Sequence, residues 1–365
     1  MRVVFVNRFF YPDHSATSQM VSDLAFHLAG RGWEVGAITS RQRYDDANAT
    51  LAARETVRGV AVRRVWSTRF GRHSLPGRAI DYATFYLSAM FAMMNERGAT
   101  IVAMTDPPML SVVATLASRR VVNWLQDLFP EVATALGIRV PPFVRRIRDW
   151  SLGKAKRNVV IGESMRVPNA VVIHNWADAS LRPLEVPHDR FVVGYSGNLG
   201  RAHDVDTMLG AMNRLRHDDV ELVVTGGGAK VDEVRAANLP NVRLERYAPR
   251  ERLSESLSAA DAHLVTMLPE TEGLVVPSKF YGILAVGRPV LFVGARDGEL
   301  ARLVREHGCG VAIESGDADG LARAIRELAA DREAARVMGR RGRALYEARF
   351  APPIAFAKWE EVLRD

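Results

Sequence analysis

The chain opens on a short apolar run, Val3-Val4-Phe5-Val6, too brief for a helix and shaped like a buried strand of a parallel sheet. Met20, Val21, Leu24, Ala25 and Leu28 then recur at helical spacing up to Gly30 and Gly32, and a second strand is expected over about 34–39. Strand, helix and strand within forty residues make a βαβ unit. Further apolar runs predict strands at 60–65, 100–104, 120–124 and 158–161, with helices between some of them. The second half alternates more regularly, with strands near 191–195, 221–225, 242–246, 262–266, 289–293 and 310–313. Helices at about 205–215, 229–237, 250–259, 278–286, 298–307 and 317–330 fill the gaps. An Arg-rich helical stretch over 331–347 and a last amphipathic helix near 353–363 close the chain. Short apolar runs spaced by helices argue for doubly wound parallel sheets.

Between Val171-Val172-Ile173 and Phe191-Val192-Val193, the stretch 175–190 carries Pro183 and Pro187 and reads as a linker. The fold expected is therefore α/β, with two Rossmann-like domains at 1–180 and 181–349; a chain of 365 residues exceeds one ordinary core. A hydrophobic content of 48% with 25% charge excludes intrinsic disorder. The single cysteine, Cys309, excludes an internal disulfide and a cysteine-rich metal site, and suits a reducing compartment. No apolar run approaches the ~18 residues of a spanning helix, and the opening run is too short for a secretory signal. A soluble, cytoplasmic protein is expected. Its charge is uneven: residues 1–187 hold 24 Lys+Arg against 15 Asp+Glu, whereas residues 188–365 hold 25 against 27. That basic first half points to an anionic surface or substrate.

In open α/β sheets ligands bind beyond the carboxyl ends of strands, so the loops there carry the candidate chemistry. The first is Tyr195-Ser196-Gly197-Asn198-Leu199-Gly200-Arg201-Ala202-His203, where Gly197 and Gly200 allow close backbone approach and the next helix offers N–H groups to a phosphate. Arg201 and His203 would add charge; a plain strand-to-helix turn fits the same residues. The second is Thr225-Gly226-Gly227-Gly228, more glycine than a turn requires and open enough for a flat or charged ligand. No dinucleotide fingerprint stands in the first βαβ unit, which counts against a nicotinamide enzyme. The third runs from Pro269 through Glu270, Glu272, Gly273, Pro277, Ser278 and Lys279 to Gly282. Ser278 is placed to cap a helix, and Lys279 in its first turn opposes the helix dipole and so invites an anion. Glu270 and Glu272 can accept bonds from neutral hydroxyls; an acidic loop with a solvated lysine is the plainer alternative. Together the three loops describe a nucleotide-sugar site: donors and a cation for a diphosphate, carboxylates for a polyol.

With Arg8-Phe9-Phe10-Tyr11-Pro12, Ser196-Gly197-Asn198-Leu199-Gly200, the glycine triplet and Pro277-Ser278-Lys279 followed by Gly287-Arg288-Pro289, the chain resembles family-4 glycosyltransferases of the GT-B fold over nearly its whole length. It is most similar to the L-fucosamine transferase or colanic-acid-type branch, whose members extend polyprenyl-diphosphate-linked sugars for bacterial surface polysaccharides. The resemblance implies two Rossmann-like domains facing a cleft, with the C-terminal helix, 350–365, crossing back to the first. It implies that 181–349 binds the donor: Arg201 and Lys279 on the diphosphate with His203 as a third candidate, Gly226 to Gly228 and Tyr247 near the base, Glu270 or Glu272 on the sugar. Such relatives commonly carry two glutamates eight positions apart; the second falls here at Gly282, or at Ser278 in another alignment, so that glutamate is missing and Ser278 would substitute for it. The first domain would bind the acceptor. Ser18 and its neighbours stand where many relatives have paired glycines, so their N–H groups would touch the donor phosphate. In Asn123-Trp124-Leu125-Gln126-Asp127, where relatives often have a histidine, Asp127 is the acceptor-side candidate to orient or deprotonate a hydroxyl; a helix cap before Pro130 is the alternative. Retention by front-face attack would rest on charge stabilisation by Arg201 and Lys279.

Asp204-Val205-Asp206 has the form of a metal signature, but it opens a helix, where Asp caps; no metal and no cofactor is expected, the nucleotide sugar (a UDP sugar by preference) being a substrate. Residues 143–157 combine six cations with Phe143, Ile147, Trp150 and Leu152. They suit either a helix resting on anionic lipid, hence a peripheral protein on the inner face of the membrane, or one packed into its own domain. No nucleic-acid recognition motif accompanies the charge. An epimerase acting on the nucleotide sugar and a non-catalytic nucleotide-binding subunit are the alternatives to a transferase.

Overall fold

The computed structural model describes residues 1–44, 46, 48–71 and 75–365, which divide into two compact units. Unit 1 comprises Met1–His174 together with Ala355–Asp365, and unit 2 comprises Asn175–Ile354.

Unit 1 contains β1 (Arg2–Val6), α1 (Ala16–Gly30), β2 (Glu34–Ser40), β3 (Arg54–Val57), β4 (Val60–Val65) and α2 (Leu75–Met94). It continues with β5 (Thr100–Ala103), α3 (Leu110–Ala117), β6 (Val121–Leu125), α4 (Glu131–Ala135), α5 (Pro142–Lys154), β7 (Arg157–Val160) and β8 (Ala170–Val172). The strands order as β3-β4-β2-β1-β5-β6-β7-β8, all parallel except the β3–β4 pair. The step from β1 to β2 runs one way across the sheet, and those from β4 through β5 and β6 to β7 run the other way. Right-handed crossovers therefore place α1 on one face and α2, α3 and α5 on the opposite face. β1, β5 and β6 are buried on both faces, as their largely apolar runs require.

Unit 2 contains β9 (Phe191–Ser196), α6 (Val205–Arg214), β10 (Val220–Thr225), α7 (Val231–Ala237), β11 (Val242–Glu245), α8 (Leu253–Ser258) and β12 (Ala262–Thr266). Then come α9 (Lys279–Ala285), β13 (Val290–Gly294), α10 (Glu299–Glu306), β14 (Gly310–Glu314), α11 (Ala318–Ala330) and α12 (Arg332–Leu345). Its sheet, β11-β10-β9-β12-β13-β14, is wholly parallel, with the order reversing at β9 and β12. That reversal is the point where open sheets leave a crevice for a ligand. Each unit is thus a Rossmann-like doubly wound domain.

The last helix, α13 (Pro352–Arg364), carries residues 355–365 into unit 1. Trp359, fully buried, meets Trp124 of β6 with ring centroids 4.6 Å apart. Glu360 binds His27 of α1 at 3.0 Å, and Phe356 stacks on the same imidazole at 4.5 Å.

The boundary falls before Asn175 rather than after 180. The stretch expected as a linker has no helix or strand, but Trp176 and Leu181 are buried in unit 2 and Leu184 donates its N–H to Ser258 Oγ at 3.1 Å. It is an irregular strap held by its apolar side chains.

Candidate functional site

The carboxyl ends of β9, β10 and β12 bring the three candidate loops of unit 2 together. The loop after β9 and the glycine loop after β10 are zipped by backbone bonds: Gly197 N–H to Thr225 O at 2.9 Å, Leu199 N–H to Gly227 O at 2.7 Å, and Lys230 N–H to Leu199 O at 3.1 Å. This contact explains two of the three glycines. A Cβ at Gly226 (φ +141°) would lie 2.3 Å from Gly197 O, and one at Gly228 (φ +133°) 2.4 Å from Leu199 O. The packing of the two loops therefore demands glycine at 226 and 228. Gly227 lies against the ring of Tyr247, an exposed residue of the loop after β11. A groove of about 850 Å³ opens there, along β9, β10 and β11 and beside α8, lined by Tyr195, Ser196, Thr225, Arg246, Tyr247 and Pro249.

Lys279 is the electrostatic centre of this cluster. As the first residue of α9 it reaches back to β9, where its Nζ donates to the Tyr195 hydroxyl and lies 3.6 Å from the Tyr195 ring centroid. The Tyr195 hydroxyl in turn donates to Asn198 O at 3.2 Å, which ties the lysine to the loop after β9. A Cβ on Gly197 (φ +117°) would sit 3.8 Å from Lys279 Cε, so the glycine leaves room beside the ammonium. Among the described residues no carboxylate pairs with Lys279, and burial holds its ammonium well below the ordinary lysine value. A partly buried cation whose partners are a hydroxyl and an aromatic ring lacks the counter-charge that would repay its desolvation.

Around it, several expectations change. His203 contributes no charge: burial, and then the nearby Lys279, push its imidazole down to about 3. Its Nδ1 lies 2.6 Å from Thr266 O, which can only accept, so Nδ1 carries the proton and Nε2 is left as an acceptor. The amino terminus of α6 is not open to a phosphate. Asp204 caps it, accepting from Thr207 N–H at 2.9 Å and Thr207 Oγ1 at 2.6 Å, and Ser315 Oγ donates to the same carboxylate. Asp206 stands exposed in the first turn of that helix. Ser278 makes no capping bond, because its backbone is already helical at φ −61° and ψ −23°. Glu272 is held by its own unit: Oε1 accepts from Glu299 N–H at 2.8 Å at the start of α10, and the carboxylate fills the space a Cβ on Gly298 would need. Gly273 turns the chain at φ +72° after it. Glu270, by contrast, is exposed on the 3₁₀ turn Pro269–Thr271, as is Arg201 on the turn after Gly200. A side chain at Gly282 would face the methyls of Leu257 and Leu181, an apolar setting that suits no glutamate. Lys230, which sequence reasoning passed over, brings a second ammonium to the cluster by donating to His203 O at 2.9 Å. Its signal was only its place at the end of a glycine run.

In unit 1, Asp127 lies just beyond the carboxyl end of β6. Burial pushes its carboxyl up to about 6, with a bond from Thr105 opposing and the charge of Asp106 adding. Its Oδ1 is buried without a partner. It is not a helix cap: α4 begins at Glu131 and has no side-chain capping bond. Ser18 is fully buried in the first turn of α1, its Oγ donating to Asp13 O at 3.2 Å. The basic helix α5 divides between the two readings. Leu152, Ser151 and Arg148 are buried and Glu131 pairs with Arg148, whereas Phe143, Ile147 and Trp150 form an exposed stripe. On α2, Leu87, Phe91 and Met94 form a second exposed stripe at the same spacing. Among the described residues no helix is long and apolar enough to cross a membrane.

Two family profiles match the chain: "Glycosyl transferase 4-like domain" over residues 15–193 and "Glycosyl transferases group 1" over residues 178–345. WbjE of Pseudomonas aeruginosa, an inferred glycosyltransferase, is 29% identical over 286 residues, covering 69% of this chain and 71% of that one. WcaI of Escherichia coli, an inferred colanic acid biosynthesis glycosyl transferase, is 22% identical over 373 residues, covering 90% of this chain and 92% of its own. In fold, the chain is similar to HepE of Anabaena, solved in complex with UDP and glucose, at a TM-score of 0.71 and 15% identity over all of both chains.

Proposed function

The chain is a family-4 glycosyltransferase of the GT-B fold, and from that premise we propose that it moves a sugar, with retention of configuration, from a UDP-linked donor to a polyprenyl-diphosphate-linked glycan in bacterial surface polysaccharide synthesis. Unit 2 takes the donor and unit 1 the acceptor. The likeness to WcaI supports the polysaccharide role, and the fold shared with a protein solved with UDP and glucose supports the donor class.

The observation that carries the reading is the cation without a carboxylate at the sheet's reversal point. An arriving diphosphate gives Lys279 the anionic partner it lacks, raises its proton affinity and fixes it as an ammonium. It then neutralises charge as the diphosphate departs, which is where a preorganised donor lowers a barrier most. Arg201, exposed on the adjoining turn, supplies a second, mobile contact. His203, neutral at physiological pH, accepts rather than donates at Nε2 and so serves a sugar hydroxyl better than a phosphate. Glu270 is the free carboxylate for the hexose, since Glu272 is bound to α10. The flat groove beside Tyr247 receives the base. Attack comes from the face the diphosphate leaves, and the diphosphate takes the acceptor's proton; Asp127 orients that hydroxyl. No metal is assigned a step.

Membrane contact completes the reading. α2, α3 and α5 share one face of unit 1 and expose Leu87, Phe91, Leu116, Phe143, Ile147 and Trp150. Arg119 and Arg120 stand exposed just past α3, and Arg145, Arg146, Lys154 and Lys156 stand exposed along and just past α5. Apolar side chains rimmed by cations suit the surface of an anionic bilayer, where a lipid-linked acceptor resides.

The test is Lys279→Ala. In a donor-saturated assay it should cut turnover at least about a hundredfold, the loss of one charge-assisted contact in a dry site. It should also abolish the thermal shift that UDP gives the wild type. Near-normal turnover would overturn the assignment.

A further inference from the structure

Unit 1 holds a surface loop with far more buried bonding than its exposed position needs. The segment 66–71 leaves β4 at its carboxyl end. Gln42 Nε2 donates to Thr68 O at 2.6 Å and to Ser67 Oγ at 3.1 Å. Asp81 accepts from Thr68 Oγ1 at 2.7 Å, from Phe70 N–H at 3.0 Å and from Gly71 N–H at 2.9 Å. Arg8 joins these two anchors, donating to Gln42 Oε1 at 3.2 Å and lying 3.6 Å from Asp81. Arg8, Gln42, Ser67 and Asp81 are all buried. Burying an ion pair and an amide costs free energy that a passive connection would not need.

That anchored loop holds two large aromatic side chains in water: Trp66 is 61% exposed and Phe70 60%. Among the described residues no packing accounts for them: β4 is covered by α1 and α2, while both rings are exposed. They stand at the carboxyl edge of the sheet, the edge at which open α/β sheets bind ligands. Their neighbours are polar: Thr68 is half-buried, and Arg69 is exposed with its guanidinium reaching Asn48 O at 3.5 Å. Two separate rings among polar groups suit a ligand with small apolar faces and many hydroxyls, not a continuous lipid contact.

We propose that Trp66 and Phe70 form a preorganised platform that stacks on pyranose rings of the acceptor glycan. A pyranose presents axial C–H bonds on one face and hydroxyls around its edge. A rigid aromatic ring covers that face with little loss of side-chain freedom, and a loop locked in advance by Arg8, Gln42 and Asp81 loses little on binding. The site deepens the proposed transfer, resting on it only for the word acceptor; sugar binding by the loop can be measured without any transfer.

The experiment uses the whole protein with Trp66→Ala, Phe70→Ala and Trp66→Phe. The probes are octyl β-D-glucopyranoside and octyl N-acetyl-β-D-glucosaminide below their micelle concentrations, with octane-1,2-diol as a control lacking the ring. Saturation-transfer NMR should show magnetisation reaching the pyranose protons, and affinity should fall about tenfold in Trp66→Ala and recover in Trp66→Phe. Both rings are exposed, so the variants should melt with the wild type and keep its thermal shift with UDP. Loss of that shift in every protein would fail the donor reading, not this one. Equal binding of the diol and the glycosides, or undiminished glycoside binding by Trp66→Ala, would overturn the platform.

Discussion

Asp127→Asn should make the protein more stable and less active at once. The Asp127 carboxyl is raised by burial from the ordinary 3.8 to about 6, and Oδ1 has no partner. At 1.36 kcal/mol for each unit, a rise of about two units is worth about 3 kcal/mol. Between about pH 4 and 6 the folded chain keeps a proton that the unfolded chain has lost, so stability falls as pH climbs through that window. Above pH 6 the full penalty is present, and below pH 4 none of it. The amide variant carries no such charge, so its advantage over wild type should grow by up to about 3 kcal/mol from pH 4 to pH 7.5. Taking the difference between the two proteins at each pH removes every other titrating group. Five of the six tryptophans, Trp33, Trp66, Trp124, Trp150 and Trp359, belong to unit 1. Fluorescence during urea unfolding therefore follows the unit that contains Asp127. A difference independent of pH, or one that grows towards acid, would refute the reasoning. If Asp127 orients the acceptor hydroxyl, the same variant should lose about a hundredfold in kcat/KM for transfer, and wild-type kcat/KM should rise with an apparent pKa near 6.

Two further outcomes follow from the geometry. Gly226→Ala should destabilise unit 2 by about 2–4 kcal/mol, since its Cβ would press on Gly197 O at a backbone angle that side chains avoid; an unchanged melting temperature would show that the two loops are not zipped. The wild type should sediment with vesicles containing phosphatidylglycerol and release them as salt rises, while Phe143→Ser with Trp150→Ser should bind about tenfold more weakly at low salt; equal binding by the double variant would remove α5 from the contact.

The parallel sheets were legible because strands buried on both faces must be largely apolar, as β9, β12 and above all β13 are. β3, Arg54–Val57, escaped because an exposed antiparallel edge strand needs no apolar run. The strap over 175–190 looked like a linker because its prolines are local signals, whereas what holds Trp176 and Leu181 is tertiary. Lys279 could be singled out from sequence, since a lysine at a helix start is electrostatically odd. The state of His203 could not, because its loss of charge depends on burial by residues distant in the chain. The glycine triplet was visible, but its purpose was not: the partner that excludes side chains at Gly226 and Gly228 is backbone at 197 and 199.

Asp127 and Lys279 belong to different units and different charge types, yet they share one physical feature. Each is an ionisable group placed where burial disfavours its charged form, with no opposite charge among the described residues to compensate. A fold selected for stability alone would replace both with apolar side chains of similar size. The structural ion pairs here behave differently: Glu360 is held below its ordinary value by His27, then Arg31 and Arg364, and stabilises the docking of α13. Perturbation in the destabilising direction, at the carboxyl end of a parallel sheet in each unit, is the pattern expected of groups kept for chemistry rather than for architecture. Under the proposed transfer, the anion then belongs to unit 2, where the strained group is a cation, and the hydroxyl to unit 1, where it is a carboxylate.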